Sequence, residues 1–213
     1  MAKVADASNC CYKCCGRKEI PYESEHTMSD TTTAPALAGL ATGTWNVDPS
    51  HSTVGFVARH LMVSKVRGSF ASFSGSITVA EQLLDSSVQA TVELASISTG
   101  DEGRDGHLRG ADFFDVEQYP AMTLVSTGLR QRGADYVLTA DLTIKGVTRS
   151  VDFDLEFTGV ATDPWGNTKA GFEATAEINR KDFGLEWNVA LETGGVLVGE
   201  KVKINLDIQA VKA

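Results

Sequence analysis

The chain has no cysteine after Cys15: all four cysteines fall at Cys10, Cys11, Cys14 and Cys15. That excludes a disulfide-stapled scaffold for the bulk of the chain. Cys11-Tyr-Lys-Cys14 has the spacing of a metal or redox pair, yet no second pair exists and only His26 stands near it. Met28, followed by Ser-Asp-Thr-Thr-Thr, offers a second start. Residues 1–27 therefore read as an added leader outside the native protein, with no role for its cysteines.

Long apolar runs are missing too, which excludes a transmembrane helix. No apolar stretch follows Lys3 as a signal peptide requires, so a cytoplasmic location is expected. Positive charge is in short supply: 19 Lys and Arg stand against 28 Asp and Glu, for a net charge of −9. Residues 1–27 carry balanced charges, so the whole deficit belongs to residues 28–213. Such a surface disfavours nucleic acid and anionic membranes, and its plainest reading is solubility. No P-loop, dinucleotide fingerprint, nucleophile elbow or zincin motif is present. Gly194-Gly195 is too short a glycine run to cradle phosphate and reads as a turn before the last strand.

What is present is period two. Val151, Phe153, Leu155 and Phe157 alternate with Asp152, Asp154, Glu156 and Thr158. Val202, Ile204, Leu206 and Ile208 alternate with Lys203, Asn205, Asp207 and Gln209. Residues 88–94, 138–144 and 172–178 repeat the pattern, which is that of antiparallel strands with one wet face. Turn residues punctuate these runs at Arg132-Gly-Ala-Asp135, Lys145-Gly146 and Asp163-Pro-Trp-Gly-Asn167. Tightly joined strands of this length predict a meander closing into an eight-stranded all-β barrel, since closure removes exposed edges. Between Gly68 and Gly75 the alternation slips around Phe70 and Phe73, where a bulge or sharp bend is expected. Two short helices are expected, one at 60–64 and one within 102–114. Residues 28–43, rich in Thr, Ala and Gly, read as a flexible tail. The division is thus a disordered extension over 1–43 and a barrel domain over 44–213.

The inward face carries Ala90, Ala140, Ala174 and Ala176 beside larger apolar residues. An eight-stranded barrel is just able to fill itself or hold one small ligand, so alanines on several strands leave space. Ten-residue strands tilted by ~40° make that space roughly 25 Å tall, suited to an elongated apolar ligand with no inward charge to meet.

One insert between strands is dense in charge: Arg104-Asp-Gly-His-Leu-Arg-Gly-Ala-Asp-Phe-Phe-Asp115. Arg104, Asp105, His107, Arg109 and Asp112 suit an acid/base set. They equally suit a self-neutralising clamp that fixes a short helix over the barrel mouth, and that reading better explains Phe113 and Phe114 as a lid over an apolar opening. A second dense patch, Arg180-Lys-Asp-Phe-Gly-Leu-Glu-Trp187, reads as a capped loop or as a second wall of the mouth. His51 and Ser52, following Asp48-Pro49, invite with His60 a Ser–His–Asp reading, but a triad is recognised by geometry, and His51 with Ser50 pinning a strand start is the more ordinary role. His51, His60 and His107 are too widely spaced to signal a metal site.

The segments Trp45-Asn-Val-Asp-Pro-Ser-His51, Val66-Arg-Gly-Ser-Phe70 and Phe73-Ser-Gly75 resemble the opening of the YceI-like, polyisoprenoid-binding proteins. Arg104-Asp-Gly-His-Leu-Arg109, Asp112-Phe-Phe-Asp115, Leu142-Thr-Ile-Lys-Gly-Val-Thr148, Ile178-Asn-Arg-Lys-Asp-Phe-Gly-Leu185 and Val198-Gly-Glu-Lys-Val-Lys-Ile204 continue the likeness in order, from about Thr44 to Ala213. The resemblance implies a lipocalin-like barrel with an extended apolar cavity for a polyisoprenoid or similar lipid, such as an isoprenoid quinone, often as a dimer. It brings no agreed catalytic residues and no cofactor. Many members are periplasmic or secreted, from which this sequence departs by lacking a signal peptide.

The expectation is a non-enzymatic lipid-binding protein. Its ligand walls are Phe56, Phe70, Phe113, Phe114, Met122, Phe153, Phe157, Phe172 and Trp187, under a lid of Arg104, Asp105, His107, Arg109 and Asp112. The rivals are an enzyme acting on a hydrophobic substrate through His107 or His51, and a stress-response module binding protein through its surface.

Overall fold

A computed structural model of the chain describes residues 37–192 and 195–213. The cysteine cluster, His26 and most of the expected tail lie outside the described residues, as does Gly194.

Eleven strands are present among the described residues: β1 (Gly43–Val47), β2 (Thr53–His60), β3 (Ser64–Phe70), β4 (Phe73–Val79), β5 (Ser87–Glu93), β6 (Ile97–Ser98), β7 (Ala121–Arg132), β8 (Asp135–Ile144), β9 (Val147–Thr162), β10 (Thr168–Asn179) and β11 (Val198–Lys212). One α-helix, α1 (Glu102–Arg109), joins β6 to β7. All pairings are antiparallel, and the ring β1-β4-β5-β7-β8-β9-β10-β11 closes by β1 pairing with β11. The eight-stranded barrel expected from the alternation is therefore the fold.

β1 and β2 lie in tandem along one edge of β11: β1 pairs with Ala210–Lys212, and β2 with the half nearer Val198. In the same way β3 and β4 share one barrel position, and β5 and β6 another. The first three barrel strands are thus each broken near mid-height. Pro49 has no N–H for the ladder, and Asp48 turns the chain by accepting the Ser50 N–H at 3.1 Å. Side chains bridge the gaps in hydrogen bonding: Ser52 Oγ accepts from Gln209 N at 2.9 Å, and Ser96 Oγ from Ser72 N at 3.0 Å. The bend expected near Phe70 and Phe73 falls at 71–72. Gly68 is no bulge, because register runs through it unbroken; it lacks a side chain because a Cβ there would overlap the Phe56 ring.

The helix expected at 60–64 is absent. Leu61 and Met62 take positive φ values of 52° and 59°, turning the chain directly from β2 into β3, and His60 pairs with Ser64. The run His-Leu-Met-Val has the composition of either element, and pairing on both sides decides for the hairpin. The Lys145-Gly146 turn is a two-residue hairpin with both φ values positive, 50° and 74°, whose twist matches that of the strands. Part of the expected tail, residues 37–43, is described. Ala41 accepts the Trp45 indole N–H at 2.9 Å, and Leu40 packs on the cluster around fully buried Trp45.

Packing divides the interior. At one end Trp45, Val79, Phe172 and Ala210 are buried together; at the other Phe153, Phe183, Leu185 and Phe113 are, with a third group of Phe70, Val92, Leu94 and Ile97 beside α1.

Candidate functional site: an apolar chamber closed by a short helix

A cavity of about 270 Å³ runs between these groups, bordered by Leu37, Leu40 and Val79 toward one end and by Leu108, Phe113 and Phe114 toward the other. Its walls are apolar nearly throughout because the alternating strands turn Phe, Leu, Ile and Val inward. Of the expected wall residues, Phe56, Phe70, Phe113, Phe114, Met122, Phe153, Phe157 and Phe172 all border it. Trp187 does not. It packs outside, edge-on to His107 at 4.6 Å and tilted on Phe113 at 5.3 Å between ring centroids, so it backs Phe113 rather than lining the chamber. Of the inward alanines, Ala90 and Ala174 border the space, whereas Ala140 and Ala176 are buried in the packed end.

The helix over that end is weak by composition. Eight residues, two of them glycine, do not hold a helix in water. Asp101 caps it by accepting the Arg104 N–H at 2.8 Å, and side chains tie it to the segment before it. Arg109 donates to Ala95 O and Ile97 O, each at 2.8 Å, and Arg104 donates to Thr99 Oγ1 at 2.7 Å and Thr99 O at 3.0 Å. Asp105, only 6% exposed, accepts from the Thr99 N–H and hydroxyl. Burial works to raise its pKa, but the Thr99 hydrogen bonds and the charges of Arg109 and Arg104 prevail and hold it below the usual carboxylate range.

The charges of the clamp are balanced mostly without direct ion pairs. Among its side chains only His107 and Asp112 meet directly, at 2.9 Å, while the arginines act on Asp105 through their charge and spend their donors on the Thr99 hydroxyl and backbone carbonyls of 95–99. The strand end supplies acceptors that the helix cannot, which is why the charges point across to it. The anchored helix sets Leu108 and Phe114 against the chamber, where Phe114 meets Phe70 edge-on at 6.0 Å and Phe70 meets Phe56 at 5.8 Å.

The histidines take structural positions. His51 Nδ1 lies 2.9 Å from Ser50 Oγ and 2.9 Å from Asp48 Oδ2. Serine and carboxylate meet the same ring nitrogen, whereas a triad uses one on each, so this is no relay. Lys169 Nζ adds a contact to Asp48 at 3.2 Å, and the Ser50 and His51 hydrogen bonds hold the Asp48 carboxyl far below its usual range. Neither His51 nor His107 borders the chamber. His51, His60 and His107 form no metal-ligating cluster among the described residues.

The YceI-like domain family matches residues 45–210, nearly all of the described barrel. The chain belongs to the YceI-like domain family. Its relatives include the UPF0312 protein SAS2572 of Staphylococcus aureus, 41% identical over 73% of this chain and 90% of that one. Another is the UPF0312 protein plu2095 of Photorhabdus laumondii, 40% identical over 66% of this chain and 74% of that one. Among solved structures, BcnA of Burkholderia cenocepacia superposes with a TM-score of 0.63 at 27% identity, covering 76% of this chain and 98% of that one. A polyisoprenoid binding domain from Saccharophagus degradans shares the fold, with a TM-score of 0.61 at 18% identity over 79% of this chain and 98% of that one.

One residue of this YceI-like chamber departs from the expectation of no inward charge. Arg180, only 4% exposed, borders the cavity and is the one charged side chain among its lining residues. It begins a 3₁₀ turn, Arg180–Phe183, in which Lys181 and Asp182 stay in solvent while Arg180 and Phe183 turn in. The sequence run Arg-Lys-Asp looks uniformly wet. The signal that singles out Arg180 is its place directly after the inward Ile178 on a two-residue period.

Proposed function

We propose that this YceI-like protein is a non-enzymatic carrier that sequesters or transports a long-chain lipid, foremost a polyisoprenoid such as the tail of an isoprenoid quinone. The observation that carries the reading is the chamber: apolar along nearly its whole length and bordered at both ends of the barrel. Its volume of about 270 Å³ corresponds to on the order of ten carbon-sized groups, because an apolar cavity of ~150 Å³ takes one benzene. At ~0.8 kcal/mol per buried CH₂, ten to fifteen apolar carbons reach the ~8 kcal/mol of micromolar affinity, before the loss of chain entropy is charged against them. The space therefore just reaches what micromolar affinity needs. The polyisoprenoid-binding domain that shares the fold supports the choice of ligand class.

Organic extraction of protein purified from its native host, followed by mass spectrometry, tests the reading. A long-chain lipid at near one per chain is expected, and added isoprenoids should raise the melting temperature. Repeated preparations without lipid, together with no thermal shift, would overturn it.

A further inference from the structure

The Arg180 guanidinium is incompletely satisfied. Its Nε donates to Gly199 O at 3.1 Å and its Nη1 to Leu185 O, while Nη2, also buried, has no partner among the described residues. Native structures rarely leave such a donor alone, because an unmade hydrogen bond at a buried charge is costly. No carboxylate lies within ion-pair distance of Arg180 among the described residues; Glu200, whose charge acts on it, is taken by Lys181 Nζ at 2.5 Å. The two carbonyl contacts fix the plane of the guanidinium, so the free nitrogen is held rather than searching.

We infer that Arg180 Nη2 reads the head group of the bound lipid: it donates to an acceptor oxygen at the α1 end of the chamber, and the tail runs toward Leu37 and Leu40. This rests on the carrier reading and adds to it a polarity and a head-group class. Arginine offers donors only, so the matching group is an acceptor oxygen. A guanidinium taken out of water without a counter-charge favours an oxyanion over a neutral carbonyl, because the pair then offsets the burial that the cation alone does not. The class is a single-chain lipid ending in a carboxylate or phosphate, with a ketone or quinone carbonyl as the weaker form of the same contact. Burial also draws the Arg180 pKa down, opposed by Glu200, yet an arginine stays protonated throughout the working range.

The test compares four probes of nearly matched chain length: hexadecanoic acid, hexadecyl phosphate, 2-heptadecanone and hexadecane. Each competes with a fluorescent apolar probe for wild type, Arg180→Met and Arg180→Lys. Wild type is expected to bind the acid and the phosphate roughly ten- to a hundredfold tighter than hexadecane, the range of one charge-assisted hydrogen bond, with the ketone between. Acid and phosphate compared with each other then name the head. Arg180→Met should erase the preference and leave hexadecane binding within a few-fold, and Arg180→Lys should keep part of it. Equal wild-type affinities for all four probes overturn the inference, as does a ketone that binds tighter than both anions. Arg180→Met weakening all four alike would assign Arg180 a purely structural role. If Arg180→Met does not fold, the wild-type series decides alone, since the preference needs no variant. Failure to bind any probe, hexadecane included, would instead overturn the carrier reading itself.

Discussion

Asp105 on the helix closing the barrel and Thr99 on the segment before it are joined twice over: the carboxylate takes the Thr99 N–H at 2.9 and 3.1 Å to its two oxygens, and also takes the hydroxyl. Removing the carboxylate leaves a buried N–H and hydroxyl unmet and two arginines without their nearby anion. Asp105→Ala should cost about 2–3 kcal/mol in urea denaturation, and Thr99→Val, which keeps the N–H, about 1 kcal/mol. A loss under ~0.5 kcal/mol for Asp105→Ala, the range of an ordinary surface change, would show that the helix is held by its arginines alone.

The same carboxylate, with Asp48, contributes to the acid limit of the fold. Both groups have pKa values lowered in the folded state, so each binds its proton more readily when unfolded. Their stabilisation is complete above the ordinary carboxylate pKa of about 4 and is lost as pH falls from there through the folded values. Stability measured from neutral to strongly acidic pH should therefore decline below about pH 4, and Asp105→Asn and Asp48→Asn should each flatten that decline. An unchanged acid slope in both variants would place the titration elsewhere.

Ala90 and Ala174 hold the chamber open from two strands. Replacing half-buried Ala90 with leucine adds apolar volume to free space, so stability should hold or rise slightly, whereas Ala174, 6% exposed in the packed group around Phe153, should lose stability on the same change. Affinity for a long-chain lipid should fall at least about tenfold, since two or more carbon positions are displaced at ~0.8 kcal/mol each. Thermal denaturation and lipid displacement measured on the same samples check the two halves. Loss of stability together with unchanged binding in Ala90→Leu would mean that the ligand does not occupy this part of the barrel.

How far the sequence foretells this arrangement depends on the kind of contact. β8 to β11 are legible because each strand has one wet and one dry face, so Phe153 and Asp154 declare their sides without further context. β1 to β6 are less so, because each barrel position is shared by two short strands and the breaks at 48–52, 71–72 and 94–96 reset the alternation. The insert at 104–115 is legible as a cluster. Its wiring is not, since Arg104 and Arg109 choose backbone carbonyls at 95–99 that any sequence would offer. Trp187 is misplaced because the turn after β10 rotates its side chains by an amount that a two-residue period does not encode, and Arg180 because a charged run masks the inward place that the period from Ile178 gives it. Arg180 goes inward, and Trp187 comes to rest on the outside of Phe113.

Phe114 offers the sharpest separation of lid from wall. It meets Phe70 edge-on at 6.0 Å, and it is carried by the loop after α1, whereas Phe70 belongs to the barrel wall. A wall residue contributes mainly to the depth of the bound state, while a lid residue also contributes to the barrier against leaving. Phe114→Ala removes a partly buried ring and should lower stability by about 2 kcal/mol, less than the ~3–5 kcal/mol of a fully buried phenylalanine. If the helix and its loop are the exit, lipid release followed by stopped-flow transfer to acceptor vesicles should accelerate by more than equilibrium affinity falls, with association accelerated as well. Phe157→Ala, which opens space at the wall beside Phe172, should change release and affinity by the same factor and leave association untouched. Equal ratios in the two variants would move the exit to the opposite end, where Leu37 and Leu40 border the chamber.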